Sequence, residues 1–447
     1  ATGGGAGMAL AHAIQYGNPP FDLHEANPKR FDASVNGAAA LSARVPEVLG
    51  KHYEIAYPGR QWKTGRNLRT LPLHDEWVAH GAHFGQVFGI ERPLYFQKTA
   101  EPALTFGRPD WFEQVGSEVA AAHERAGITE LSSFGKIELS GSDALSCLEL
   151  ICTNNISLPV GAACYTLMLN HAGGVESDLT VFRLAKDHFR LMVGTSALKS
   201  NLSHIRNHVP QDAAVRICDV TDDLAVLGLY GPDSSAIGAA LGAEWMNDLG
   251  YFNHAEGLIG GVSVRATRLS YVGESGWELT CNVNDAKKLF TVLANVGAVP
   301  VGAYAQASMR IEKGFLAYGH DLDTDMTPAM AGLEFALAEA KSFVGKDALN
   351  GIPNPKKQLV SLCFTDVDAV PLGNEPVVQN GRIIGKTTSA AFGYRVARPV
   401  AIALIEKASI VAGVIVQVDI AGEMADAVVS VAPLFDPSGS RMRTKRS

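Results

Sequence analysis

The sequence predicts an α+β protein whose chain closes in a small β-barrel or sandwich. Three observations carry this expectation. From residue 128 onward, short apolar or alternating runs recur with helical patterns between them, but without the regular alternation of a parallel sheet. Residues 350–357, Asn-Gly-Ile-Pro-Asn-Pro-Lys-Lys, have the composition of a linker. After them, residues 358–434 are strand-rich, with Gly373, Gly381, Gly385 and Gly393 punctuating short runs. At 447 residues the chain is too long for one ordinary core, and roughly 100–200 residues per domain gives two to four domains.

The chain begins with a glycine cluster, Gly3, Gly4, Gly5 and Gly7, that runs into an apolar helical pattern. Such glycines could open a helix N-terminus on a phosphate or a flavin edge. The spacing is not GxGxxG, however: Met8 stands where the third glycine should be, and no strand precedes it. The stretch is expected to be the edge of a domain whose main part lies elsewhere. Residues 17–62 hold turn signals (Gly17-Asn18-Pro19-Pro20, Asn27-Pro28, Pro58-Gly59) and short helical pieces, and 63–112 read as irregular, rich in aromatics and proline. Val115, Val119 and Ala122 are spaced for one face of a helix over 113–126. Strands are expected at 137–139, 165–169, 179–183, 189–193, 225–229 and 262–269, and helices at 143–151, 196–208, 232–241 and 285–296.

Composition narrows the function. With 38 Lys+Arg against 46 Asp+Glu and a net charge of -8, the chain is a poor candidate for gripping nucleic acid or anionic lipid by bulk charge. The basic run Arg441, Arg443, Lys445, Arg446 reads as a solvated tail. No apolar stretch approaches the roughly 20 residues that cross a bilayer. The six cysteines show neither a CxxC pair nor zinc spacing, which suits reduced thiols in the cytoplasm, or in the mitochondrial matrix of a eukaryote. His74, His80 and His83 lack a completing ligand, so no metal is expected.

Three stretches carry candidate chemistry. In TRLSYVGESGWEL (267–279), Tyr271 and Glu278 stand seven residues apart. Ser275-Gly276 is expected to make a tight reversal that pairs the flanking strands and turns both side chains toward one pocket; the alternative is a core Tyr and a solvated Glu. In YTLMLNHAGGVESDLTVFRL (165–184), Gly173-Gly174 signals a turn and Asp178 begins the second strand. An acid among apolar neighbours is unfavourable unless paired or used, and burial would raise its pKa toward neutrality; the alternative is an Asp that caps the turn. In SMRIEKGFLAYGHDL (308–322), Arg310 lies in an apolar-periodic helix, from which its guanidinium could reach a carboxylate or a heterocycle. The alternative is an ion pair with Glu312 or Glu334.

Together with LGLYGPDSS (227–235), these stretches resemble the folate-binding fold of the glycine-cleavage T-protein, an aminomethyltransferase. HDEWVAHGAHFGQVFGIERPLYF (74–96), LSSFGKIELSGSDAL (131–145), GGVESDLTV and PLFDPSGSRMR (433–443) are similar to the C-terminal half of dimethylglycine and sarcosine dehydrogenases or oxidases, and residues 3–31 to the last segment of their FAD domain. The resemblance implies a cloverleaf of three subdomains around tetrahydrofolate. It implies a remnant of an FAD-dependent oxidoreductase domain at 1–62, a connecting region at 63–112, the folate-binding domain at 113–349 and the barrel at 358–443.

The activity it implies is capture of the iminium or formaldehyde from oxidation of an N-methylated amine as 5,10-methylenetetrahydrofolate. A flavin domain or subunit would be the partner, and FAD would bind only if that partner supplies the site. By position, Asp178 matches the catalytic acid beside the folate nitrogens, and Glu278 the acid on the pterin's amino edge. Tyr165, Tyr251, Tyr271 and Arg310 match further cofactor-binding positions. Phe182, Glu130 and Met330 depart from the T-protein pattern, standing for Tyr, Asp and an acid. A stand-alone folate-dependent methyltransferase or demethylase of the same fold, and a non-catalytic folate-binding subunit, remain alternatives.

Overall fold

The computed structural model describes residues 2–16, 23, 30–98, 101–352 and 354–443. The turn signals at 17–20 and 27–28, together with Lys445 and Arg446, fall outside these residues. Two central sheets position everything that follows. The first, six-stranded, runs in the order His254–Ile259, Val262–Thr267, Gly276–Asn282, Leu224–Tyr230, Gly127–Glu130, Val299–Pro300. The second, five-stranded, runs Ala163–Leu169, Val175–Ala185, His188–Val193, Gly135–Ser140, Arg216–Asp219. Helices cover them by burying one stripe each. In Ala286–Asn295, Leu289, Phe290 and Leu293 enter the core with Trp277, Leu279 and Leu227, and in Phe112–Glu124 the buried residues include Val115, Val119 and Ala122, as their spacing predicts.

Between Lys357 and Ser430, six strands close a barrel. Its interior shows the period of two that strands impose: Val360, Leu362, Phe364 on one strand and Ala401, Ala403, Ile405 on its neighbour all point inward. All six cysteines are free thiols. Among the described residues no helix is long and apolar enough to cross a membrane.

Three expectations need correction. Residues 63–112 are not irregular: Arg69–Thr70, Ile90–Phe96 and Ala82–Val87 form a three-stranded sheet beside the helix His74–Ala79. Pro93 hid the hairpin, because proline inside a run argues against a strand; it sits at a register shift opposite Phe84. Second, there is no tight reversal at Ser275-Gly276. Thr267 already pairs with Glu278, and a loop bulges out between them. That loop satisfies its backbone against distant partners instead: Arg268 O accepts from Phe252 N–H, and Ser275 O from Gly231 N–H. Third, the strand bearing Asp178 begins at Val175 and lies inside its sheet. Asn170, not Asp178, caps the turn, its Oδ1 accepting from Ala172 and Gly174 N–H.

Candidate functional site

Each central sheet contributes one carboxylate. Asp178 pairs across the strands with Leu167, and Tyr165 with Thr180, so the tyrosine is its diagonal neighbour on the same face. The Tyr165 hydroxyl donates to Asp178 Oδ2 at 3.2 Å. Both side chains keep some solvent exposure, although protein surrounds them closely, which places them in a recess. Burial pushes Asp178 up to about 6; the Tyr165 hydrogen bond opposes the shift and Asp321 adds to it.

Glu278 lies on the other sheet. Strand alternation sends Trp277 and Leu279 into the core and Glu278 to the opposite face. There it accepts from the Tyr230 hydroxyl at 3.1 Å, and burial lifts it to about 7. Tyr230 reaches it by lying over Gly228, the residue directly across from Glu278. A Cβ on Gly228 would stand 2.4 Å from the Tyr230 ring. Gly228→Ala is therefore expected to push the ring aside and break the Tyr230–Glu278 bond. A crystal structure of the variant, or a change in the Glu278 carboxyl titration followed by NMR, checks this; an unmoved ring would refute it.

The loop 268–275 joins the two sites. Ser270 N–H points at the Tyr251 hydroxyl, which also lies 3.9 Å from Met442 Sδ. Next to it, Tyr271 stacks on Phe315 with ring centroids 5.9 Å apart and donates to Leu316 O at 2.7 Å. Arg310 pairs with neither Glu312 nor Glu334. Its Nη1 meets Asp321 Oδ2 at 2.6 Å, and Nη2 donates to Ser389 Oγ of the barrel at 2.7 Å. Asp321 also accepts from Ala317 N–H. Arg310 thus braces the 315–321 turn on which Tyr271 rests.

Behind the loop is a dense ionic node. Glu274 accepts from Arg395 Nη1 at 2.9 Å, Arg441 Nε at 2.8 Å and His123 Nδ1 at 2.8 Å. Arg395 also reaches Glu312 Oε2 at 2.5 Å and Val272 O at 2.8 Å, with its guanidinium 3.9 Å from the Phe435 ring centroid. Helix 112–124, the loop, the barrel and the C-terminal segment meet here, so Arg441, expected in a solvated tail, is instead anchored by Glu274 and the His123 carbonyl.

Of the six residues singled out in the sequence, Tyr165 and Asp178 form one pair, Tyr271 lies near them on the loop, and Tyr251 lies off the loop, close to Ser270 and Glu278. Glu278 has a partner the sequence did not reveal, Tyr230, and Arg310 serves as a brace. Glu130 is on the other face of the sheet from Glu278, across from Leu227, where it accepts from Trp77 Nε1 at 2.5 Å. A cleft of about 650 Å³ lies elsewhere, lined by Arg69, Asp222, Ser132 and Thr221 among others and by none of the six. Its Arg69–Asp222 ion pair is satisfied at 2.8 Å, so chemistry favours the carboxylate recess. Glycines 3, 4, 5 and 7 lie on the helix Gly3–Tyr16 with open space around each; the described residues there form no dinucleotide cradle.

Comparison with known proteins identifies the family and the fold. Residues 73–341 match the GCVT N-terminal domain, 357–436 the glycine cleavage T-protein C-terminal barrel domain, and 16–70 the FAD dependent oxidoreductase central domain. The 4-methylaminobutanoate oxidase (formaldehyde-forming) of Paenarthrobacter nicotinovorans is 34% identical over 98% of this chain and 55% of its own length. Human mitochondrial dimethylglycine dehydrogenase is 31% identical over 99% of this chain and 53% of its own. The chain therefore spans about half the length of these relatives. The crystal structure of aminomethyltransferase T of the Bartonella henselae glycine cleavage system superposes with a TM-score of 0.73 at 25% identity, covering 83% of this chain and 98% of that one. With one such domain matched over more than half its length, and the barrel domain directly after it, the chain belongs to the glycine-cleavage T-protein family.

Proposed function

We propose that this chain binds tetrahydrofolate between its two sheets and catalyses transfer of a one-carbon unit, the iminium or formaldehyde released by oxidative N-demethylation, to give 5,10-methylenetetrahydrofolate. One observation carries the reading: a half-buried and a buried carboxylate, each touched by a tyrosine, stand on separate sheets and are linked by a loop bearing a third tyrosine and near a fourth. A carboxylate has room for about four hydrogen bonds. Glu278, with one from Tyr230, has acceptor capacity for the paired N–H donors of a pterin edge. Tyr271 would lie along the pterin, with Tyr165, Tyr230 and Tyr251 lining the pocket. Bound tetrahydrofolate would supply the nucleophilic nitrogens. Asp178 would take the proton such a nitrogen loses, or hold the charge of a cationic donor. Its pKa of about 6 leaves it ionised and basic enough for proton transfer near neutrality.

The flavin context is part of the proposal. Residues 16–70 match an oxidoreductase domain. Leu41, Val45, Val48 and Leu49 form an exposed apolar stripe on the helix Ala38–Gly50, and Met8, Leu10 and Ile14 are exposed on Gly3–Tyr16. Such a surface suits a covering flavin domain or subunit, which would hold FAD. This favours a demethylating flavoenzyme over a stand-alone transferase.

Calorimetry with tetrahydrofolate tests the reading, and absence of binding would end it. Glu278→Gln places a donor against a donor and is expected to cost about 1.5–3 kcal/mol of affinity, tenfold or more; parental affinity would make Glu278 a bystander. The sign of the pH effect follows from burial. Glu278 in the folded chain titrates near 7 against an ordinary 4.5, so folding favours its protonated form. Its contribution to stability is full below about 4.5 and is lost as pH rises through 7. Glu278→Gln should therefore be no less stable than the parent at pH 8, by thermal melting, while folate affinity of the parent should fall as pH drops through 7.

A further inference from the structure

Away from the carboxylates, three histidines meet where the turn 170–174 lies against the helix Leu198–His208. His171 Nε2 and His208 Nε2 are 3.2 Å apart. His208 Nδ1 lies 2.8 Å from the His204 carbonyl oxygen, so Nδ1 carries the proton and Nε2 presents its lone pair. The His204 ring centroid is 4.3 Å from that of His208, and its Nε2 is buried without a hydrogen-bond partner. The turn is held rigid by Asn170, and Ser177 Oγ to Asn201 Oδ1 at 2.7 Å ties its outgoing strand to the same helix.

We propose that His171 and His208 form a binding site for a borderline divalent transition-metal ion, with His204 as a third donor within reach. Three features point to it. Two nitrogens 3.2 Å apart, each about 2.0–2.1 Å from a shared ion, subtend an angle of about 100° at the metal, close to tetrahedral. Donation of the second ring N–H to a backbone carbonyl, as in His208, is the outer contact that orients a ligating imidazole. And i, i+4 spacing puts His204 and His208 on one helix face, leaving an otherwise orphaned nitrogen beside the pair. Among the described residues no three His, Cys, Asp or Glu side chains already surround one metal position. The site is thus a two-nitrogen site that His204 joins by turning its ring. All-imidazole donors suit zinc, copper or nickel over magnesium or calcium. The competing account is a plain hydrogen bond between His171 and His208, which holds no ion.

The inference stands apart from the folate reading and is tested on the whole chain stripped with chelator. Zn²⁺ titration by calorimetry should show one equivalent bound with a Kd of about 1–10 μM, and Co²⁺ should give the visible absorption of a four-coordinate site. His171→Asn and His208→Asn, which retain a short polar side chain, should each weaken Zn²⁺ at least about tenfold. Their melting temperatures without metal should match the parent, while Zn²⁺ should raise the melting temperature of the parent and not of the double variant. Parental Zn²⁺ binding by that double variant, or a Kd weaker than about 1 mM for the parent, would overturn the site in favour of the hydrogen bond.

Discussion

Asp178→Asn is expected to leave folate binding close to parental and to slow one-carbon transfer by about 10²–10⁴-fold, the range for losing a general base. The substitution keeps the size of the side chain and its contact with Tyr165, 3.2 Å away, but removes both the basic oxygen and the negative charge. Single-turnover formation of 5,10-methylenetetrahydrofolate from formaldehyde is the assay, with the uncatalysed condensation subtracted. In the parent the rate should fall as pH drops through about 6, where Asp178 takes up a proton; the variant should lack that step. A variant with parental rate and parental pH profile would reduce Asp178 to a sheet residue, and would leave the chain only concentrating its reactants.

Arg395→Ala is expected to have the largest effect on stability, a loss of about 3–5 kcal/mol. The side chains of Arg395, Glu274 and Glu312 are almost wholly buried. Removing the arginine leaves Glu312 facing only backbone N–H donors from 395 and 396. Glu274 would keep His123 and Arg441, and is expected to suffer less. Arg395→Lys should fall between, since an ammonium preserves charge but cannot bridge both carboxylates with a planar fork. Denaturant titration reads the loss. An unchanged midpoint for Arg395→Ala would mean that Phe435 and the backbone carry the node without it.

Much of the architecture was legible because apolar residues repeat at the period of their element. Val115, Val119 and Ala122 announced a helix, and the glycine-punctuated runs after 358 announced the barrel. What stayed hidden depended on pairing between distant residues. Tyr230 meets Glu278 across 48 positions of sequence, and only the strand register and the bare Gly228 bring them together. Asp321 was not singled out in the sequence, yet it is the partner Arg310 uses; Glu312, two residues from Arg310, turns instead to Arg395. Pro93 and the loop 268–275 misled for one reason: local turn chemistry was weighed without the long-range hydrogen bonds that override it.

The node around Glu274 also bears on how such a chain can be divided and recombined. By sequence, the T-protein domain ends near residue 341 and the barrel begins near 357, a seam that invites exchange of one part for a relative's. Arg395 belongs to the barrel part and Arg441 to the segment beyond it, whereas Glu274 and Glu312 belong to the first. A transplant at that seam inherits two acids whose counterparts must come from the donor in matching positions. The units of inheritance in this chain are therefore larger than its units of topology: a working chimera would have to carry the arginines along with the glutamates they neutralise.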